Sequence, residues 1–142
     1  MITFRIKGNP IAKQSARFGF NDKEIRSYQP AKIVQTKKSI QYQLQSQLPK
    51  GFKMFTKYVQ IIECGFIFPY LKGHTKKQIA EMETGIKTNF KTTIPDLDNL
   101  QKMLFDAMQG IVFKNDSLIV MMDNVYKIYH KEPEIIIRLK GK

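Results

Sequence analysis

The chain contains no tryptophan, one cysteine and two histidines in 142 residues. A lone thiol closes no internal disulfide, and without a CxxC pair there is no thiolate zinc site. Cys64 lies in the apolar run IIECGFIF and reads as a small buried hydrophobe. Such cysteine usage suits a reducing, cytoplasmic compartment. His74 and His130 stand apart in the sequence and read as surface residues. No apolar run approaches the ~20 residues of a membrane-spanning helix. The opening MITFRIKGNP carries charge where a signal peptide is apolar. No membrane association and no small-molecule cofactor is expected. There is no internal repeat, low-complexity tract or linker, so residues 1–142 read as one domain with room for a real core.

Acidic residues are also scarce: 12 against 24 lysines and arginines, a formal charge of +12. The imbalance is uneven. Residues 1–60 carry 12 basic and 2 acidic side chains, whereas residues 96–123 carry 2 and 5. A solvated basic face would account for the excess alone. The excess together with an acidic island reads as a polyanion-binding surface around a small acidic pocket.

The periodicities indicate an α/β (α+β) chain. ITFRIK (2–7) alternates as a strand, and GNP turns the chain. Residues 11–30 read as a long basic loop or irregular hairpin, with Lys13, Arg17, Lys23 and Arg26 set among Phe18, Phe20 and Tyr28. Cations for phosphates interleaved with rings for stacking are what a nucleic-acid groove uses. Ile33, Ile40, Leu44 and Leu48 mark a helix over 31–48 that also carries Lys32, Lys37 and Lys38. Residues 56–68 read as a strand, 72–85 as a short polar helix and 86–94 as extended chain. Leu97, Leu100, Met103, Leu104, Ala107 and Met108 form one helical stripe that Gly110 ends. After it, IVF reads as a short strand, KND as a turn, 117–130 as one strand and 132–141 as a closing edge strand.

Within PDLDNLQKMLFDAMQGIVFKND, residues 95–116, the acids have two readings. In the first, Asp96 or Asp98 caps the helix, Asp98 with Gln101 imitating a capping box. KND is then plain turn chemistry, and Asp98, Lys102 and Asp106 form a surface ladder at i, i+4, i+8. In the second, Asp96 and Asp98 converge on one point as the chain enters the helix. Two hard carboxylates suit Mg²⁺, with Mn²⁺ as a substitute, and such ions take phosphate oxygens as further ligands. Asp116 is the candidate third ligand if KND returns to the helix start. The residue types exclude a calcium EF-hand, since Leu100 stands where a ligand is needed. A basic surface, an acidic pocket and a lysine one helical turn on point to phosphodiester hydrolysis.

PDLDN, then Lys102, then DA, then NDS before an apolar strand resembles the signature of the RusA family of Holliday junction resolvases. The match is specific over 95–120. The order around it is also similar: an N-terminal strand, GNPIAKQSAR, a helix, and a long strand ending FIFPY. The resemblance implies a small α/β fold, a mixed sheet flanked by two or three helices. It implies a Mg²⁺-dependent endonuclease that binds four-way DNA junctions as a homodimer and makes paired symmetric cuts. It places the metal-binding aspartates on Asp96, Asp98 and Asp116 and the catalytic lysine on Lys102. Such proteins are common in phages and prophages. Two departures stand out. Asn115 occupies a position that is often acidic in the family, and the stretch before the motif is KTTIP rather than a basic run.

The expectation is therefore a junction-resolving endonuclease. Lys13, Arg17, Lys23 and Arg26 are its candidate phosphate contacts, with Lys32, Lys37 and Lys38 as a further strip. Asn99 either braces a carboxylate or is an ordinary first-turn residue. Asp106 and Asp123 are read as structural, Asp106 orienting Lys102. The alternatives are a broader flap or branched-DNA nuclease and a non-catalytic junction-binding protein on the same fold.

Overall fold

The computed structural model describes residues 1–13, 17–21, 24–28 and 30–142, with the side chains of 17–21 and 24–28 outside the description. Strands β1 (Ile2–Lys7), β2 (Arg17–Asn21) and β3 (Glu24–Tyr28) precede helix α1 (Ala31–Gln47). Then come β4 (Val59–Pro69), α2 (Lys76–Glu83), α3 (Leu97–Met108), β5 (Ile119–Met122), β6 (Val125–His130) and β7 (Glu134–Gly141). A short 3-10 turn at Asp116–Leu118 leads into β5. β2 and β3 form a separate antiparallel hairpin, a basic arm, so of the two forms expected for this segment it takes the hairpin.

The main sheet is mixed and five-stranded, as the resemblance implies, in the order β1–β7–β4 with β5 and β6 both laid on β4. β7 is antiparallel to both β1 and β4. It is thus interior, not the edge strand its terminal position suggested. The run Ile135–Ile136–Ile137 supplies apolar side chains on both faces, as an inner strand requires. One edge is β1, and α1 covers it. Gln43 accepts the Lys7 N–H (2.8 Å) and donates to its carbonyl (3.1 Å), while Gln47 does the same for Arg5 (3.0 and 2.8 Å). Two side-chain amides stand in for a missing strand, which removes an edge otherwise open to pairing.

Residues 117–130 are two strands rather than one. The Asp123 carboxylate accepts the Asn124 N–H at 2.9 Å, and Asn124 takes φ 49°, a left-handed conformation that Asn tolerates well. The break lets β5 and β6 follow each other along β4, both parallel to it. IVF (111–113) is a turn, with Phe113 bridging Phe55 and Gln109. Gly110, at φ 85°, donates to Phe113 there. The polar helix is shorter than expected, starting at a complete Thr75–Gln78 capping box.

The core lies between one sheet face and the α1–α3 pair. Phe4, Ile6, Val59, Ile61, Cys64, Phe66, Ile135, Ile137 and Leu139 meet Ile33, Ile40 and Leu44 of α1. Leu100, Met103, Leu104, Ala107 and Met108 of α3 complete it. The stripe read from the sequence is thus buried, and burying it sets the opposite face of α3, with Asp98 and Lys102, toward solvent. No helix among the described residues is long and apolar enough to cross a membrane.

Candidate active site

Asp96 occupies the N-cap position of α3, with extended backbone (φ −73°, ψ 149°), but its carboxylate makes no cap hydrogen bond. The capping-box reading fails at Asp98 too: Gln101 turns its amide to Met122 Sδ (3.4 Å). Helix α3 therefore begins beside two carboxylates that it does not use. Asp98 is 68% exposed and, among the described residues, pairs with the far end of Lys102, 65% exposed, at 4.0 Å. Both side chains are free to turn to an incoming ligand.

The loop carrying Asp96 is braced from below by a residue the sequence did not single out. Lys127 of β6 donates its ammonium hydrogens to the carbonyls of Thr93 (2.6 Å) and Pro95 (2.8 Å). These carbonyls flank the cis Ile94–Pro95 bond, immediately ahead of Asp96. The lysine is legible only as one polar position in VYKIYH; its partners lie more than 30 residues away. The segment before the loop lies along the outer edge of β6. Asn89 and Lys91 bond the backbone of Tyr129 and Lys127. The Lys91 ammonium donates to Thr93 Oγ1 (2.8 Å) and sits 5.1 Å over the rings of Phe68 and Tyr129. The one lysine in that weakly basic stretch thus acts within the fold. Beside Asp96 opens a cleft of about 530 Å³, lined by Pro10–Lys13, Ile94, Pro95 and Asn99.

Asp116 is placed elsewhere. Its N–H donates to Gln109 Oε1 (3.3 Å), at the C-terminal end of α3. KND therefore does not return to the helix start. The 3-10 turn reverses the chain, and β5 carries it back along α3, so that Met122 rather than Asp116 reaches Gln101. Eleven residues at 1.5 Å each put Gln109 roughly 16 Å along the axis from Asp98. Among the described residues no three His, Cys, Asp or Glu side chains lie close enough to hold a metal ion. Asn115 accepts the Ser117 N–H (2.9 Å), the turn chemistry expected of KND.

Asp106 does not orient Lys102. Its Oδ2 takes Lys13 Nζ (3.2 Å) and Lys37 Nζ (3.3 Å) instead. Partial burial pushes this carboxyl upward, but the hydrogen bonds and charges of the two lysines outweigh it and hold it below its usual range. The Lys13 N–H donates to the carbonyl of Asn99 (3.1 Å). The chain leading to the arm is thereby held against the same helix. Arg17 and Arg26 pair with Tyr28 and Gly19 across the β2–β3 hairpin by backbone register; Lys23 lies outside the described residues.

Residues 7–140 match the family model described as Endodeoxyribonuclease RusA. The chain belongs to the RusA endodeoxyribonuclease family. Its relatives include the uncharacterized protein YqaN of Bacillus subtilis (strain 168), 26% identical over 140 residues, which cover 98% of this chain and 95% of that protein. The RusA family is one of Holliday junction resolvases, DNA endonucleases that bind branched junctions. The RusA match takes in every site residue discussed above, from Lys13 through Asp116.

Proposed function

We propose that the protein resolves four-way DNA junctions by paired symmetric cuts, as a homodimer that uses Mg²⁺. The observation that carries this reading is the Asp96–Asp98 pair, which a RusA chain holds at the mouth of α3 without spending it on a cap. Hard carboxylate oxygens not taken up in a helix cap fit Mg²⁺, or Mn²⁺ in its place. When bound, the ion supplies activation of water and neutralisation of charge at the scissile phosphate. Asp96 and Asp98 hold it. Lys102, one turn along and exposed, offers its ammonium to the extra charge that the phosphate gains in the transition state. Lys127 keeps Asp96 in place through the backbone ahead of it.

Asp116 is the third ligand in this reading, supplied by a second chain. Asp116 and the Asp96–Asp98 pair lie at opposite ends of α3, joined by β5. The side chains of Val120, Met121 and Met122 on β5 are exposed. A two-fold axis across β5 reverses its direction in the partner. It thereby sets each chain's Asp116 end against the other's Asp98 end, giving two equivalent sites. Two related sites are what symmetric cutting of a junction requires. Arg17, Lys23 and Arg26 are the phosphate contacts in this reading, with Lys32 and Lys38 of α1 as a further strip.

The test is cleavage of a synthetic four-way junction beside matched duplex, flap and single-strand controls, with Mg²⁺ and with EDTA. Paired symmetric nicks in the junction alone, lost in EDTA, are expected. Cutting of every branched form would replace the resolvase by a broader nuclease, and tight binding with no cutting would remove the metal site. Val120→Asp should separate the dimer by light scattering and abolish cleavage together; a cleaving monomer would sink the shared site.

A further inference from the structure

Two lysines of different elements share one carboxylate oxygen at the root of the basic arm. Lys13 precedes β2, Lys37 lies on α1 and Asp106 on α3, and both ammonium groups meet Asp106 Oδ2, at 3.2 and 3.3 Å. All three side chains are a little over one-third exposed, so DNA can reach them. Lys13 has a second tether, its backbone N–H on the Asn99 carbonyl two turns up α3. It also lines the cleft beside Asp96. Asp106 lies about 12 Å along α3 from Asp98, and Lys13 links the trio to the cleft beside Asp96; the trio carries a net charge of +1, where two unpartnered lysines would present +2.

We propose that Asp106 is a specificity-determining residue: it holds Lys13 and Lys37 off passing phosphates and fixes the root of the arm, and so favours branched over linear DNA. The inference rests on the junction-binding reading above. Linear duplex is held by phosphate neutralisation, and its affinity follows the number of cations free to release counterions. On a chain of net charge +12 that background is strong. Drawing two cations near the site into an internal ion pair lowers it. A junction gains in addition from the fixed position of Lys13 ahead of the arm, which the Asp106–Lys13 and Asn99–Lys13 contacts define. Freeing the lysines therefore helps duplex more than junction.

The test compares dissociation constants for a synthetic four-way junction and a linear duplex of the same length, in EDTA, over a salt series, with the full-length protein. Asp106→Asn should bind duplex about tenfold more tightly and steepen the slope of log K against log salt by about 1, while the junction-to-duplex ratio falls. Asp106→Glu, which keeps the charge, should behave as wild type. Lys13→Gln/Lys37→Gln should make the wild-type slope shallower by about 1 at most, because Asp106 already neutralises one of the two cations. A merely structural Asp106 would lower thermal stability and weaken both ligands with no steeper slope, and that result overturns the proposal. So does a double lysine variant whose slope is shallower by about 2, since both lysines would then already sit on DNA. The double variant decides the matter even if Asp106→Asn does not fold. Junction cleavage by the wild type in Mg²⁺ is read separately: its failure refutes the resolvase reading without touching the slopes.

Discussion

Replacing Lys127 by methionine keeps an unbranched side chain of similar length and removes both hydrogen bonds to the loop ahead of Asp96. The bonds are short, 2.6 Å to Thr93 and 2.8 Å to Pro95, and the donor is charged. Charged hydrogen bonds contribute about 1.5–3 kcal/mol each when shielded. Lys127 is only half buried and the Thr93 bond faces solvent, so screening cuts the pair to about 1–3 kcal/mol in all. For a domain of this size that corresponds to a fall of about 3–10 °C in Tm if the loop unfolds with the rest. The larger effect falls on function, since a displacement of about 1 Å at a reacting group can cost on the order of a hundredfold in rate. Single-turnover junction cleavage across a Mg²⁺ titration should show a rate at least about tenfold lower and a higher half-saturating Mg²⁺. Junction binding in EDTA should stay close to wild type, and Lys127→Arg should recover part of the rate. Wild-type cleavage by Lys127→Met at limiting Mg²⁺ would show that the loop holds Asp96 without this brace, and would refute the reasoning.

Asp98→Asn should abolish cleavage while leaving junction binding intact or tighter, because it removes a repelling charge near phosphate; cutting at wild-type rates would place the metal elsewhere. Lys102→Ala should slow cleavage by roughly a hundredfold with little change in affinity, and an equal loss of binding would make Lys102 a phosphate anchor instead. Gly65→Ala tests the back of the sheet. A Cβ there would come within 2.5 Å of the Tyr126 ring, which is tied to Glu63 by a 2.7 Å hydrogen bond. Displacing the ring should cost about 1–3 kcal/mol, measured by chemical denaturation, and an unchanged midpoint would mean that Tyr126 swings aside freely.

Tyr126 also carries a pH signature. Desolvation, then the Glu63 hydrogen bond and charge, push its phenol up to about 12. A raised acid stabilises the fold fully below its unfolded value, near 10, and loses that contribution as pH rises from there toward 12. The trend is the opposite at Asp106, whose lowered carboxyl contributes above the ordinary Asp range and ceases to do so as acid protonates it.

Most of the secondary structure was legible because local rules decide it. The α3 stripe, the α1 periodicity and the alternation of β1 are each written within about twenty consecutive residues, and burial follows them. Signals failed where the partner was remote. The β7 pattern does not say which strands flank it, and only pairing with both β1 and β4 makes it central. The break at Asp123–Asn124 is hidden because one left-handed Asn inside an apolar run leaves the periodicity almost intact.

The sequence by itself determined the chemistry on offer: the RusA motif, hard carboxylates at a helix start, a lysine one turn on, and a basic segment ahead of α1. Those depend on residue types and short spacings, which covalent geometry and helix pitch convert directly into neighbours. Only the tertiary structure decided where the charges go. It gave Asp106 to Lys13 and Lys37, set Lys127 beneath the loop of Asp96, and held Asp116 at the far end of α3 from Asp98. Ion pairs and long-range hydrogen bonds form between whichever groups packing brings within about 4 Å, and spacing along the chain carries no record of that distance.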